Sequence, residues 1–170
     1  MLLDISKNTQ FALFENNAEQ TAKLFYSPIK SISCNDPKDL DQTFNEIQEA
    51  QQQGLYLAGY CSYELGYCFE EKLLSLLPTK RKLPLIHFNA FEEMLTCNID
   101  EISQWLSKHS NTFAAIHHPQ LAMTKATYQQ KLEMLKTHIK DGDTYQANFT
   151  TKLHFDFEGD TISLYQALRE

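Results

Sequence analysis

Three carboxylates lie beside glycine-punctuated, aromatic-rich stretches: Glu64 and Glu70 follow residues 55–63, and Asp143 follows Gly142. Acid–base work needs a titratable group within hydrogen-bond reach of the proton it moves, tuned by a neighbouring charge or by burial. No histidine, lysine or second carboxylate stands at an obvious catalytic spacing from any of the three. Glu64 therefore reads as a hydrogen-bonding group at a strand end. Asp143 reads as fixing the turn after Gly142, because Asp side chains bond nearby backbone N–H groups.

A second constellation is neutral. Gln146, Asn148 and Thr150 precede the first charges of their stretch at Lys152 and Asp156. On a strand, alternate residues share a face. A row of amides and hydroxyls suits a buried, hydrogen-bonded surface, where Lys and Glu are scarce. The alternative is that this face meets water, and the pattern alone leaves both open. Of six histidines only His117 and His118 adjoin; neighbours on a strand point to opposite faces, so they read as surface residues and not as a metal pair. Cys34, Cys61, Cys68 and Cys97 form no CxxC pair, which signals neither zinc nor a disulfide framework. They read as inert reduced thiols, and the apolar neighbours of Cys61 predict its burial.

Three helices are legible behind these residues. The first follows Asp36-Pro37, a capping side chain and a first-turn proline, with Leu40, Phe44 and Ile47 on one face and Gly54 as the stop. The second covers residues 124–140, with Tyr128, Leu132, Leu135 and Ile139 in helical register and Gly142 as a left-handed stop. The third starts near Asp160 and carries Leu164 and Leu168 one turn apart. Residues 55–63 are apolar on both faces, which predicts a central strand with close backbone approach at Gly59. Alternation over residues 144–157, broken only at Thr151, predicts one long strand. Shorter strands are expected at residues 10–14, 23–26, 84–91 and 113–116. The sum is an α+β chain.

Composition sets the outer bounds. The 170 residues, 42% hydrophobic and 12% aromatic, can bury a core, and the length suits one domain better than two. The net charge is −7, and the longest basic cluster is Lys80-Arg81-Lys82. Nucleic acid and anionic membrane are therefore not expected as partners. Neither a signal sequence nor a spanning apolar run is present, so a cytoplasmic location is expected.

The order helix, Gly142-Asp143, then Tyr145-Gln146-Ala147-Asn148-Phe149-Thr150 resembles a signature of the chorismate-utilising enzymes, and within them of aminodeoxychorismate synthase component I. Leu57-Ala58-Gly59-Tyr60-Cys61-Ser62-Tyr63-Glu64 with Glu70 is similar to the family's central strand and the acidic loop after it. Leu24-Phe25-Tyr26-Ser27-Pro28-Ile29 is similar to an earlier strand and turn. Phe11-Ala12-Leu13-Phe14-Glu15-Asn16 is similar to the first strand, which in several relatives ends in Leu-Leu-Glu-Ser beside a tryptophan pocket; Glu15 matches and Asn16 replaces the serine. Anthranilate synthase component I more often shows Phe-Gln and a Leu-Ser pair after the Gly-Asp.

The resemblance runs in order from about residue 10 to residue 168. It implies the amino-terminal half of a four-layer α/β/β/α fold with mostly antiparallel sheets, so residues 1–170 are expected to be an amino-terminal region cut before the catalytic half. It further implies addition–elimination on chorismate: ammonia from a glutamine amidotransferase partner replaces a ring hydroxyl to give 4-amino-4-deoxychorismate, the precursor of p-aminobenzoate. In the family the general acid, the lysine nucleophile and the magnesium ligands lie beyond residue 170. No catalytic or metal residue is therefore expected here, and the fragment should be inactive alone. Glu15, Asn16, Tyr145 and Asn148 are the residues expected to face an amino-acid effector, offering an anion, amides and an aromatic wall.

Overall fold

A computed structural model describes Ile5 and residues 9–110 and 113–169. Where length suggested one domain, the chain forms two compact units, Met1–Trp105 and Leu106–Glu170.

The first unit opens with the hairpin β1 (Phe11–Asn16) and β2 (Thr21–Tyr26), paired from Phe11↔Tyr26 to Asn16↔Thr21. Its turn is built by Asn16, whose Oδ1 accepts from the N–H groups of Ala18 at 3.1 Å and Glu19 at 3.3 Å. This is the local bonding that makes Asn a turn residue. β6 (Met94–Asn98) adds to the other side of β2, giving the antiparallel order β1-β2-β6. A second antiparallel sheet has the order β3-β5-β4, from β3 (Lys30–Cys34), β4 (Tyr56–Cys61) and β5 (Ile86–Phe91).

The sheets pack face to face through Phe25, Ala58 and Phe91, with Ala12 and Met94 against them. On the far side of the second sheet, Ile86, Cys34, Leu40, Leu65 and Leu85 form another cluster, joined by Ile47 and Phe88. Helix α1 (Leu40–Gln52) covers that side. On the far side of the first sheet, helix α3 (Ile99–His109) brings the buried Trp105 edge-on to Phe11, with ring centroids 4.9 Å apart. Helix, sheet, sheet and helix are thus layered within this unit. Each fully buried large apolar side chain contributes about 1.5–3 kcal/mol by leaving water.

Several expectations are corrected here. The central strand of its sheet is β5, and β4 is an edge. The tyrosines of β4 made it look apolar on both faces, yet Tyr56 and Tyr60 are partly exposed, as an aromatic with a wet hydroxyl can be. Close approach at Gly59 is present: a Cβ there would lie 2.0 Å from the His87 carbonyl oxygen. In α1 the buried stripe runs through Leu40, Thr43 and Ala50, while Phe44 is 40% exposed at its flank. Asp36 caps as expected, accepting from Lys38 N–H at 3.0 Å ahead of a short 3-10 turn, Pro37–Asp39. Tyr63–Phe69 is 3-10 helical and leads into the short helix α2 (Glu71–Leu74). Cys61 is exposed, against its expected burial, whereas Cys34 and Cys97 are buried.

In the second unit, β7 (Ala114–Leu121) pairs antiparallel with β8 (Leu153–Gly159), and helix α5 (Thr161–Arg169) lies against β7. Helix α4 (Lys125–Asp141) begins at Thr124, whose hydroxyl accepts from Thr127 N–H, and stops at Gly142 with φ +82°. The long strand expected over residues 144–157 is not formed: residues 144–152 have no regular structure and pairing starts at Leu153. Alternation supplies two faces, but a ladder needs a backbone partner. Phe149 instead stacks on Tyr128 of α4, with centroids 5.1 Å apart.

Candidate functional site

The motif segment starts where α4 ends. The Gly142 N–H bonds the Ile139 carbonyl and the Asp143 N–H bonds that of His138 at 2.9 Å, so two of the helix's last carbonyls are satisfied through a left-handed glycine. This turn also sets the Asp143 side chain, whose Oδ2 accepts from His138 Nδ1 at 2.7 Å. Asp143 does fix the turn, but through a histidine one helical turn back and not through a backbone N–H. The sequence reading gave Asp143 no histidine partner. The signal was present: a histidine in the last turn of a helix meets the negative end of its dipole, and an acid just past the stop can reach it. A carboxylate beside Nδ1 orients the imidazole with that nitrogen toward the acid.

Beyond the turn, Thr144 Oγ1 donates to the Gln146 carbonyl at 3.0 Å. Phe149 closes one side of a cavity of about 260 Å3 that α4 lines with Lys131, Met134, Leu135 and His138. Its neighbours point away: Tyr145 is 93% exposed, and Gln146, Asn148 and Thr150 are exposed as well. Among the described residues, the side chains of Gln146, Asn148 and Thr150 have no hydrogen-bond partner. The neutral row is therefore open to water here and is not a buried network.

Tyr145 and Asn148, both expected at an effector site, stand together on this segment of the second unit. Glu15 and Asn16 belong to the first unit, at the end of β1. The Asn16 amide oxygen is spent on its own turn. Glu15 is half-buried near Cys97, and its charge, with that of Glu101, adds to the burial that pushes the Cys97 thiol up from its ordinary value. Glu64 lies in the 3-10 segment after β4, and Glu70 at the junction between that segment and α2.

On the two-stranded sheet of the second unit, His117 and His118 do not point to opposite faces. A bulge between His117 and Gln120, with His118 at φ +50°, turns both rings to the acidic face of β8. There His117 Nε2 meets Glu158 at 3.2 Å and His118 Nδ1 meets Asp156 at 3.0 Å. Both pairs are solvent-exposed and hold little energy. Among the described residues no group of three or more His, Cys, Asp or Glu could hold a metal ion. Nor is any described helix long and apolar enough to cross a membrane.

Face-to-face antiparallel sheets flanked by helices, then a glycine-stopped helix and a Tyr-Gln-x-Asn-x-Thr run, define an α+β enzyme domain of layered build. The chain belongs to the family of chorismate binding enzymes, whose profile matches residues 9–170. Its function is chorismate-utilising in this general sense. No curated protein matches the chain.

Proposed function

We propose that this chain is the amino-terminal portion of an aminodeoxychorismate synthase component I, acting with chorismate and glutamine-derived ammonia to give 4-amino-4-deoxychorismate. One observation carries the choice within the family: Tyr145-Gln146-Ala147-Asn148-Phe149-Thr150 directly after the Gly142-Asp143 stop, where the anthranilate-forming relatives more often differ. The partner is a glutamine amidotransferase subunit, the complete enzyme uses magnesium, and the setting is the cytoplasm. The acid, nucleophile and metal ligands belong to a part of the family fold outside these residues, so this chain alone does not turn chorismate over.

The test has two arms. The purified chain is incubated with chorismate, magnesium and ammonium, and the products are separated by chromatography; robust turnover overturns the reading of an inactive portion. The gene with whatever coding sequence follows codon 170 is then expressed with a glutaminase subunit. Formation of 4-amino-4-deoxychorismate supports the assignment, while anthranilate transfers the chain to the other branch.

A second reading, a non-catalytic module for an amino-acid effector, is favoured by one feature: Tyr145 presents an almost wholly exposed ring on the same segment as the exposed Asn148. With the Asn16 amide oxygen already bonded, affinity for tryptophan is weak or absent. Calorimetry that found tight tryptophan binding, abolished by Glu15→Ala, would establish this second reading instead.

A further inference from the structure

We propose that the cleft where β1 begins, at the open end of the space between the two sheets of the first unit, binds a neutral, flat heterocycle carrying both hydrogen-bond donors and acceptors. The cleft is lined by Thr9, Gln10, Phe11, Ser31, His87 and Asn89 and has a volume of about 530 Å3. Small-molecule sites typically enclose roughly 300–1,000 Å3.

Its floor follows from strand register. Ser31 pairs with Asn89 and Ser33 with His87 across β3 and β5, while Ala58 and Tyr60 of β4 flank Asn89 and His87 on the other side. Side chains on directly paired residues share a face. Two positions further along β5 on that face stands Phe91, which with Ala58 and Phe25 fills the apolar space between the sheets. The same face is thus apolar at Phe91 and polar at Asn89 and His87. Packing the sheets requires only the apolar part.

The polar part is chemically unspent. Among the described residues, no hydrogen bond engages the side chains of Thr9, Gln10, Ser31, His87 or Asn89, although His87 and Asn89 are half-buried. Each of these five side chains can both donate and accept, counting the imidazole as neutral. None of the six lining residues is a carboxylate, an ammonium or a guanidinium, so an ionic ligand would enter without a counter-charge at a desolvation cost.

A ring beside the polar floor favours a flat ligand. His87 is backed by Tyr60, with centroids 5.8 Å apart and a 38° tilt. The inference does not depend on the product that the proposed enzyme makes.

The test is a titration of the chain with adenine and hypoxanthine, and with benzoate and benzylamine as charged rings of similar size, followed by ligand-observed NMR. At least one heterocycle should bind saturably with a dissociation constant of roughly 0.1–1 mM. Losing one hydrogen-bonding group should weaken it about 3–10-fold in Asn89→Ala and in Ser31→Ala. Asn89 is half-buried and its replacement could disturb the sheet. Ser31 is exposed, so Ser31→Ala with an unchanged thermal melt keeps the comparison clean. The proposal is overturned if neither heterocycle saturates, if benzoate or benzylamine binds as tightly, or if Ser31→Ala binds like the parent chain.

Discussion

At the scale of single residues, the structure turns on positions where little space or no solvent is left. At Gly59, a methyl group would sit 2.0 Å from one backbone oxygen and 2.6 Å from the Phe88 Cα, neither of which can yield without parting β4 from β5. We expect Gly59→Ala to cost at least about 3 kcal/mol in a urea melt, the upper range of overpacking. Gly142→Ala meets no atom, yet forces a left-handed φ on an L residue, so it should cost only about 1 kcal/mol. Equal losses at the two sites would refute this division between steric and conformational causes. Burial sets another residue-scale property: it pushes the Cys68 and Cys97 thiols up, with Glu101 and Glu15 adding to the effect at Cys97. Native thiols thus hold their protons to higher pH than unfolded ones. The stability they supply is complete below the ordinary thiol value of 9.0 and is lost as pH rises through the native value. Chemical melts across this alkaline range should show a decline that Cys97→Ala reduces, and an unchanged decline in that variant would remove the thiol from the explanation.

Elements were legible from sequence where their cause is local. Asp36 before Pro37, Thr124 ahead of α4 and Gly142 after it each act within one helical turn, and the helices they bound are present. A further local signal was missed. Asn98 and Glu101 form a reciprocal cap at the start of α3: Asn98 Oδ1 accepts from Glu101 N–H at 2.8 Å, and Glu101 Oε2 accepts from Asn98 N–H at 3.0 Å. An Asn-x-x-Glu before Ile102, Trp105 and Leu106 is a capping box that sequence displays. Asn98→Ala should cost about 1 kcal/mol. In a double-mutant cycle with Glu101→Ala the losses should be less than additive, since the two bonds brace one turn and losing either loosens the other; strict additivity would argue against it. What sequence does not display is which strand lies beside which. β4 looked central because its tyrosines count as apolar, but only the sheet order reveals that β5 has neighbours on both sides. Residues 144–157 looked like one strand because alternation records facing and not pairing. The site was legible to a similar depth: the motif and its glycine stop were visible, and a last-turn histidine before a following acid signalled the His138 to Asp143 bond, but the loss of strand pairing over residues 144–152 was not visible.

At the scale of the molecule the two units differ in how they meet water. The first has layers on both sides of two sheets, and Trp105, Phe91, Leu24 and Ile86 are wholly buried in it. In the second, none of the described residues from 113 to 169 is buried. Its two-stranded sheet has an apolar face in which Leu121 is paired with Leu153 and Ile116 with Phe157, with Phe155 between them on β8. Leu121 is 62% and Leu153 50% exposed. A two-stranded sheet is marginal in water unless its apolar face is covered. Along α4, Tyr128, Met134 and Ile139 are also exposed. Contiguous apolar surface above a few hundred Å2 is unusual for a soluble monomer and drives association. We therefore expect the 170-residue chain on its own to self-associate in sedimentation velocity, with association weakened by Leu121→Lys or Phe155→Lys on the uncovered face and unaffected by a charge added at the exposed Gln52 of α1. Hydrogen exchange should follow the same division, slow in β5 and fast in residues 144–152 and in α5. A monomeric profile with one cooperative melt, together with strong protection from Tyr165 to Leu168, would mean that the second unit is stable without any cover.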